Sequence, residues 1–169
     1  LGTGGDMHFA FSFAVHAALT SVDVETGEVA VEQVITAHDV GRAINILSLS
    51  GQIDGGVVMG IGNALTEHYI EEQGVPWTRH LGQYKMPSVR MAPRMQHFVV
   101  EHPTADGPYG AKGVGEISSI PISPAIANAI FNAVGVRFMA LPVDQDALLL
   151  AMKRGTVELD RCWGDPPEA

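Results

Sequence analysis

Five glycines, Gly51, Gly55, Gly56, Gly60 and Gly62, crowd a stretch that otherwise reads as one helix. Each interior glycine costs a helix roughly 1 kcal/mol relative to alanine. A helix capped by Ser48 or Ser50 and running to about Tyr69 tolerates that density only if it closely approaches another backbone or a ligand. The 169 residues suit one domain or part of a larger one, and residues 1–169 read as a single continuous unit without repeat or linker. Apolar residues make up 46% and charged residues 17%, the latter below the roughly 25% of average soluble domains. Such a chain is not disordered throughout, and part of its surface is expected to lie against other protein.

The charge balance narrows the partners. Ten Lys and Arg stand against nineteen Asp and Glu, a formal net charge of −9. That disfavours nucleic acid, which needs a basic stripe, and docking on an anionic membrane. No apolar run reaches the ~18 residues of a membrane span, and no signal peptide opens the chain. The start at Leu1 rather than Met reads as an interior cut, a processed end or a leader not present. The single cysteine, Cys162, excludes an internal disulfide framework and any cysteine-rich zinc or iron–sulfur site within these residues.

An apolar, β-rich stretch around His8–Val24 ending in the alternation Val22-Asp23-Val24, a turn at Glu25-Thr26-Gly27, and renewed alternation at Val29-Ala30-Val31 with apolar residues continuing to Ile35 predict a β-hairpin, broken at Asp39-Val40-Gly41-Arg42. Residues His68–Glu72 and Trp77–His80 suggest a second hairpin around Gln73-Gly74. His97–Glu101 reads as a short strand. Ser123-Pro124 reads as an N-cap followed by proline, opening a helix to Val134 that Gly135 stops. Asp144 and Asp146 open a last helix that Lys153-Arg154-Gly155 close. The tail Trp163–Ala169 is expected to be loose or wrapped on a partner. Mixed strands and helices without regular βαβ units suggest an α+β fold.

Familiar chemical signatures are absent. There is no Gly-x-Gly-x-x-Gly, no P-loop spacing before Lys112, no His-Glu-x-x-His and no Gly-x-Ser-x-Gly. The seven histidines form no ligand set in the sequence and read as core or surface residues, so no metal ligand is assigned. What remains is the loop Pro108-Tyr-Gly-Ala-Lys-Gly-Val-Gly-Glu116. Its glycines let backbone N–H groups approach a ligand, and Glu116 at its end is a candidate base. The plain alternative is a tight connection whose Glu116 is solvated or caps a helix.

Gly110-Ala-Lys-Gly-Val-Gly-Glu116 resembles the catalytic loop of the molybdenum-binding subunit in the xanthine dehydrogenase, aldehyde oxidase and carbon monoxide dehydrogenase family. Asp39-Val-Gly-Arg-Ala-Ile-Asn45 and Gly51-Gln-Ile-Asp-Gly-Gly56 resemble its second signature, and Pro124–Ile130 the helix after the loop. The likeness runs over about residues 10–152 and covers only the C-terminal portion of that subunit's molybdopterin-binding domain. It departs from the family at Ile46-Leu47-Ser48, where a proline is frequent, and at Ala92, where an acidic residue is frequent.

The resemblance implies a molybdenum hydroxylase that oxidises an aldehyde, N-heteroaromatic or related carbon centre with water as the oxygen source. Glu116 would be the catalytic base. Gln52 would contact the metal end of a molybdenum–molybdopterin cofactor, the cytosine dinucleotide form among its variants; the alternative for Gln52 is a capping or surface amide. Gly113, Val114 and Gly115 would offer backbone to the cofactor. Lys112 would contact an anion or pair with a carboxylate. Asp39 and Arg42 read as a structural pair. Iron–sulfur clusters and FAD would lie in an iron–sulfur subunit and a flavin subunit, beside the remaining part of the molybdenum subunit, in a cytoplasmic hetero-oligomer acting on a small-molecule substrate. A non-catalytic structural or assembly subunit is the alternative.

Overall fold

The computed structural model describes residues 10–155. His8, Cys162 and the tail from Trp163 lie outside them. Strand β1 (Ala14–Val22) pairs antiparallel with β2 (Val29–Asp39), and β2 pairs parallel with β5 (Arg94–Val100), giving the order β1-β2-β5. Between β1 and β2, the Asp23 carboxylate accepts the N–H groups of Glu25 and Thr26 at 2.8 and 3.0 Å, and Gly27 takes φ +75°. Val29 and Val31 point inward, but so do Val34, Thr36 and His38, so the inward spacing slips once. The register shifts there, from Leu19↔Gln33 to Thr20↔Val31. A β-bulge absorbs the extra residue and keeps the apolar set on the core face. The strand continues to Asp39, because His38 keeps the alternation that a count of apolar residues ends at Ile35.

The parallel pairing requires a long crossover. It carries α1 (Ile46–Leu65), the small hairpin β3 (Glu71–Glu72) and β4 (Val75–Pro76), and a short helix α2 (Leu81–Tyr84). The sequence thus contains one crossover within a mixed α+β arrangement. After β5 come the Gly-rich loop, α3 (Ile122–Val134) and α4 (Gln145–Arg154). Helices α1 and α3 lie on the inner face of the sheet. Ile53, Val57, Ile61, Ile122, Ile126 and Ile130 form the centre of the core, with Val34 below and Leu148 of α4 at the side.

Several expectations are corrected. Helix α1 starts at Ile46, not after Ser48, because the Asn45 side chain accepts the N–H of Ser48 at 3.0 Å. Its first turn holds the exposed Ile46 and Leu47, so no inward periodicity announced it. It ends at Leu65, where Thr66 leaves helical geometry, and not near Tyr69. Ser123 does not cap α3, which starts after Pro121; buried Ser123 instead donates to the Gly60 carbonyl at 2.9 Å. The second hairpin turns at Gln73-Gly74, both at positive φ, as type I′ turns require. Its strands are only Glu71–Glu72 and Val75–Pro76, so Trp77–His80 is not the second strand: the Trp77 N–H still donates to the Ile70 carbonyl at 2.9 Å, but Thr78 Oγ1 then accepts the Ile70 N–H and donates to the His68 carbonyl. Asp144 caps α4 through the Ala147 N–H at 2.7 Å, and Gly135 and Gly155 end α3 and α4 in the left-handed region, as the sequence predicts.

Candidate functional site

The fold brings the two singled-out segments side by side. The Arg42 N–H donates to the Gly110 carbonyl at 3.0 Å, and the Lys112 N–H donates to the Val40 carbonyl at 2.9 Å. Gly41 sits at φ +66°, and a Cβ there would run into the Gly110 carbonyl oxygen, so glycine is required for this approach. Lys112 Nζ reaches Asp39 Oδ2 at 2.6 Å, with both side chains nearly buried. Of the two roles open to Lys112, pairing with a carboxylate is the one realised. The partner of Asp39 is Lys112, not Arg42: the Arg42 side chain is exposed, and only its backbone holds the loop. Burial pushes the Asp39 carboxyl up, but the bonds from Lys112 and the Gly41 N–H and the charges of Lys112 and His102 outweigh it, leaving the carboxyl below its ordinary value.

Beyond Lys112 the loop is held by its carbonyls. Ser12 Oγ donates to the Gly113 carbonyl at 2.8 Å, and Gln52 Nε2 donates to the Gly115 carbonyl at 2.8 Å. Val114 between them packs on the core. The backbone N–H groups of Gly113, Val114, Gly115 and Glu116 meet no acceptor among the described residues. Gly113 and Gly115 are exposed, and a Cβ at either would meet nothing within 4 Å. Glu116 follows, exposed; its carbonyl accepts from the N–H and the hydroxyl of Ser119, each at 2.9 Å. The result is an exposed ledge with the Gly113, Gly115 and Glu116 carbonyls tied back, four N–H groups left without an acceptor among the described residues, and a carboxylate at its end. Gln52 and the loop through Glu116 meet here, while Lys112 stands behind as a strut.

The ledge is an open surface. A cavity of 340 Å³ lies elsewhere, between β2, the end of α1, Met91 and Val143, and no candidate residue lines it. Among the described residues no three His, Cys, Asp or Glu side chains are grouped to hold a metal ion.

One arrangement had no visible signal as a set. His97 Nε2 lies 2.7 Å from Asp54 Oδ1, and His97 Nδ1 lies 3.0 Å from Thr36 Oγ1. The order carboxylate, imidazole, hydroxyl copies that of a hydrolytic triad, but Thr36 is fully buried and no substrate reaches its oxygen. These residues come from α1, β5 and β2, so only the strand register assembles them.

A family model described as a molybdopterin cofactor-binding domain matches residues 2–93. The aldehyde oxidoreductase of Megalodesulfovibrio gigas is 35% identical over 150 residues, 88% of this chain and 16% of that protein. The xanthine dehydrogenase molybdenum-binding subunit of Escherichia coli O157:H7 is 37% identical over 125 residues, 73% of this chain and 17% of that protein. Among solved structures, aldehyde oxidoreductase from Desulfovibrio gigas superposes with a TM-score of 0.76 at 36% identity, covering 84% of this chain and 15% of that one. Quinoline 2-oxidoreductase from Pseudomonas putida 86 gives 0.76 at 27% identity, covering 82% and 18%. The chain spans a fifth or less of the length of these relatives.

Proposed function

Because the chain belongs to the molybdopterin cofactor-binding domain family of the molybdenum hydroxylases, we propose that it forms the catalytic C-terminal part of such an enzyme. The reaction is oxidation of an aldehyde, N-heteroaromatic or related carbon centre with water as the oxygen source. The observation that carries this reading is the run of four backbone N–H groups, Gly113 to Glu116, without an acceptor among the described residues, while the carbonyls of Gly113, Gly115 and Glu116 are tied back. Such a nest suits electronegative atoms of a ligand, and a molybdenum–molybdopterin cofactor fits it. When bound, that cofactor supplies the two-electron oxidation.

This chain's residues supply position and a base. Gly113, Val114 and Gly115 present donors without side chains in the way. Gln52 fixes the ledge through Gly115, and the rest of its amide would contact the cofactor's metal end. Lys112, neutralised by Asp39, holds the loop against Val40. The exposed Glu116 carboxylate takes the proton released as water-derived oxygen bonds to the substrate carbon.

An open ledge does not exclude water, and enclosure falls to other polypeptide. The remaining part of the molybdenum subunit covers it in this reading, and an iron–sulfur subunit and a flavin subunit carry the electrons onward. Multi-subunit organisation of relatives supports this: one, 38% identical over 142 residues, is the 6-hydroxypseudooxynicotine dehydrogenase complex subunit gamma of Paenarthrobacter nicotinovorans. No helix among the described residues is long and apolar enough to cross a membrane, and we place the assembly in the cytoplasm.

The test is Glu116→Gln in the complete enzyme. Cofactor content should stay normal, while the rate of reduction by substrate in a single turnover falls by at least ~10²-fold, the usual contribution of a general base. A near-normal rate would eliminate Glu116 as the base.

A further inference from the structure

Each strand of the sheet places one histidine on the inner face. His16 of β1 and His38 of β2 meet with their Nε2 atoms 3.1 Å apart and their rings at 70°. His38 is fully buried and His16 partly so. A hydrogen bond between two Nε2 atoms needs one with hydrogen and one without, so the neutral pair holds opposite tautomers. Both Nδ1 atoms are buried without a partner among the described residues. The neutral pair therefore hides one unbonded N–H, and an added proton would hide two and a charge.

Among the described residues nothing packed against the pair offers a counter-ion. Helix α3, which lies on β1, has no ionisable side chain. Helix α1 offers Asp54, and β5 offers His97, but these two are bonded to each other. Asp39, next to His38, alternates to the opposite face and pairs with Lys112. Only His97 acts on the pair from outside, and its charge opposes protonation of both histidines.

We propose that the His16–His38 pair is an acid-sensitive latch between β1 and β2, whose protonation loosens the leading end of β1 and with it the Ser12 tether on the Gly-rich loop. Ser12 stands two residues before β1 and holds the Gly113 carbonyl, so the latch and the ledge share one strand. Burial, and after it His38 and His97, hold His16 down to about 4 from its ordinary 6.5. Burial and then His97 lower His38 as well. Opened strands take up a proton near the ordinary value, whereas closed ones resist it. The latch therefore holds fully above pH 6.5 and weakens as pH falls towards 4.

The experiment is hydrogen exchange by mass spectrometry on the complete enzyme at about pH 7.5 and about pH 5, bracketing the histidine range, corrected for intrinsic rates. Opening of peptides spanning Ser12–Val22 and the bonded amides Gly110–Lys112 should rise about tenfold at the lower pH, while α4 changes little. In His16→Gln/His38→Gln the rise should shrink to within about twofold, since neither amide titrates. No rise in the wild type, an equal rise in α4, or a tenfold rise kept in the double variant would each overturn the latch. If the double variant does not fold, His16→Gln alone takes its place: a reduced rise supports the latch, and an unchanged one overturns it. If neither folds, the wild-type contrast between β1 and α4 decides.

Discussion

A Cβ added at Gly56 or Gly60 would run into Ser118 Oγ or Ile122 Cγ2, whereas at Gly113 or Gly115 it would meet nothing within 4 Å. The first pair lies on the buried face of α1, where the turn before α3 and the start of α3 press against the helix backbone. The fold accounts for those glycines completely: close approach buries Ile53, Val57 and Ile61 against Ile122 and Ile126, offsetting the propensity cost of glycine. The second pair has neither a close neighbour nor a positive φ, so nothing within the described chain demands glycine there. Gly51 and Gly55 of α1 are equally open and flank Gln52. One set of glycines serves the core, and the other set faces outward around the ledge. The second set is where function beyond folding has to be sought.

The comparison breaks most visibly at the packed set. Gly60→Val would drive a branched side chain into Ile122 and the carbonyl of Ser119, 3.0 Å from the new Cβ. The turn presents the Ser119 backbone there and α3 the branched Ile122 side chain close to its own backbone, so neither yields easily. A loss of about 3 kcal/mol or more is expected, the upper end of overpacking. It should appear as a collapse in soluble yield of the complete enzyme and a lower denaturation midpoint. An unchanged midpoint would mean that α1 and α3 are not in register as described.

The open set should respond in the opposite way. Gly113→Val and Gly115→Val add side chains to empty space, with a stability change within about 0.5 kcal/mol, as for surface substitutions away from special features. If the ledge receives the cofactor, both variants should lose most of their bound molybdenum while melting as the wild type does without cofactor. Wild-type metal content in both would reduce the loop to a connection and leave the open glycines unexplained.

This division explains what could be read from the sequence. The glycine density of α1 announced a close neighbour, and Gly56 and Gly60 have one. The caps at Asp144, Gly135 and Gly155 are local chemistry and therefore legible. The Asn45 cap carries no sequence signal because the residues after it, Ile46 and Leu47, face outward and imitate no amphipathic pattern. Ser123 looked like a cap, but its hydroxyl serves the Gly60 carbonyl, a contact 63 residues away. The Asp39–Lys112 pair spans 73 residues and displaced the nearer Arg42. The histidine pair depends on a bulge that sets the register of β1 on β2. Local spacing carries no information about partners chosen by tertiary approach.

The smallest effect should sharpen the border between the two sets. Gln52 stands on α1 between the open Gly51 and the buried Ile53, and its amide bond to the Gly115 carbonyl is the one side-chain bond from α1 to the ledge among the described residues. Gln52→Ala removes an exposed hydrogen bond, for which about 0.5 kcal/mol is expected, the lower end of the usual range. Ser12 still holds Gly113 and Val114 still packs on the core, so the loop should stay in place. With one tether gone, exchange of the Ser119 amide, which bonds the Glu116 carbonyl, should quicken about threefold or less, the factor that about 0.5 kcal/mol represents. If the amide also meets the cofactor, affinity for it should fall further than exchange alone accounts for, about tenfold, as for loss of a supporting contact at a metal site. Equal small changes in both measurements would assign Gln52 to the fold alone and move the border one residue toward the loop.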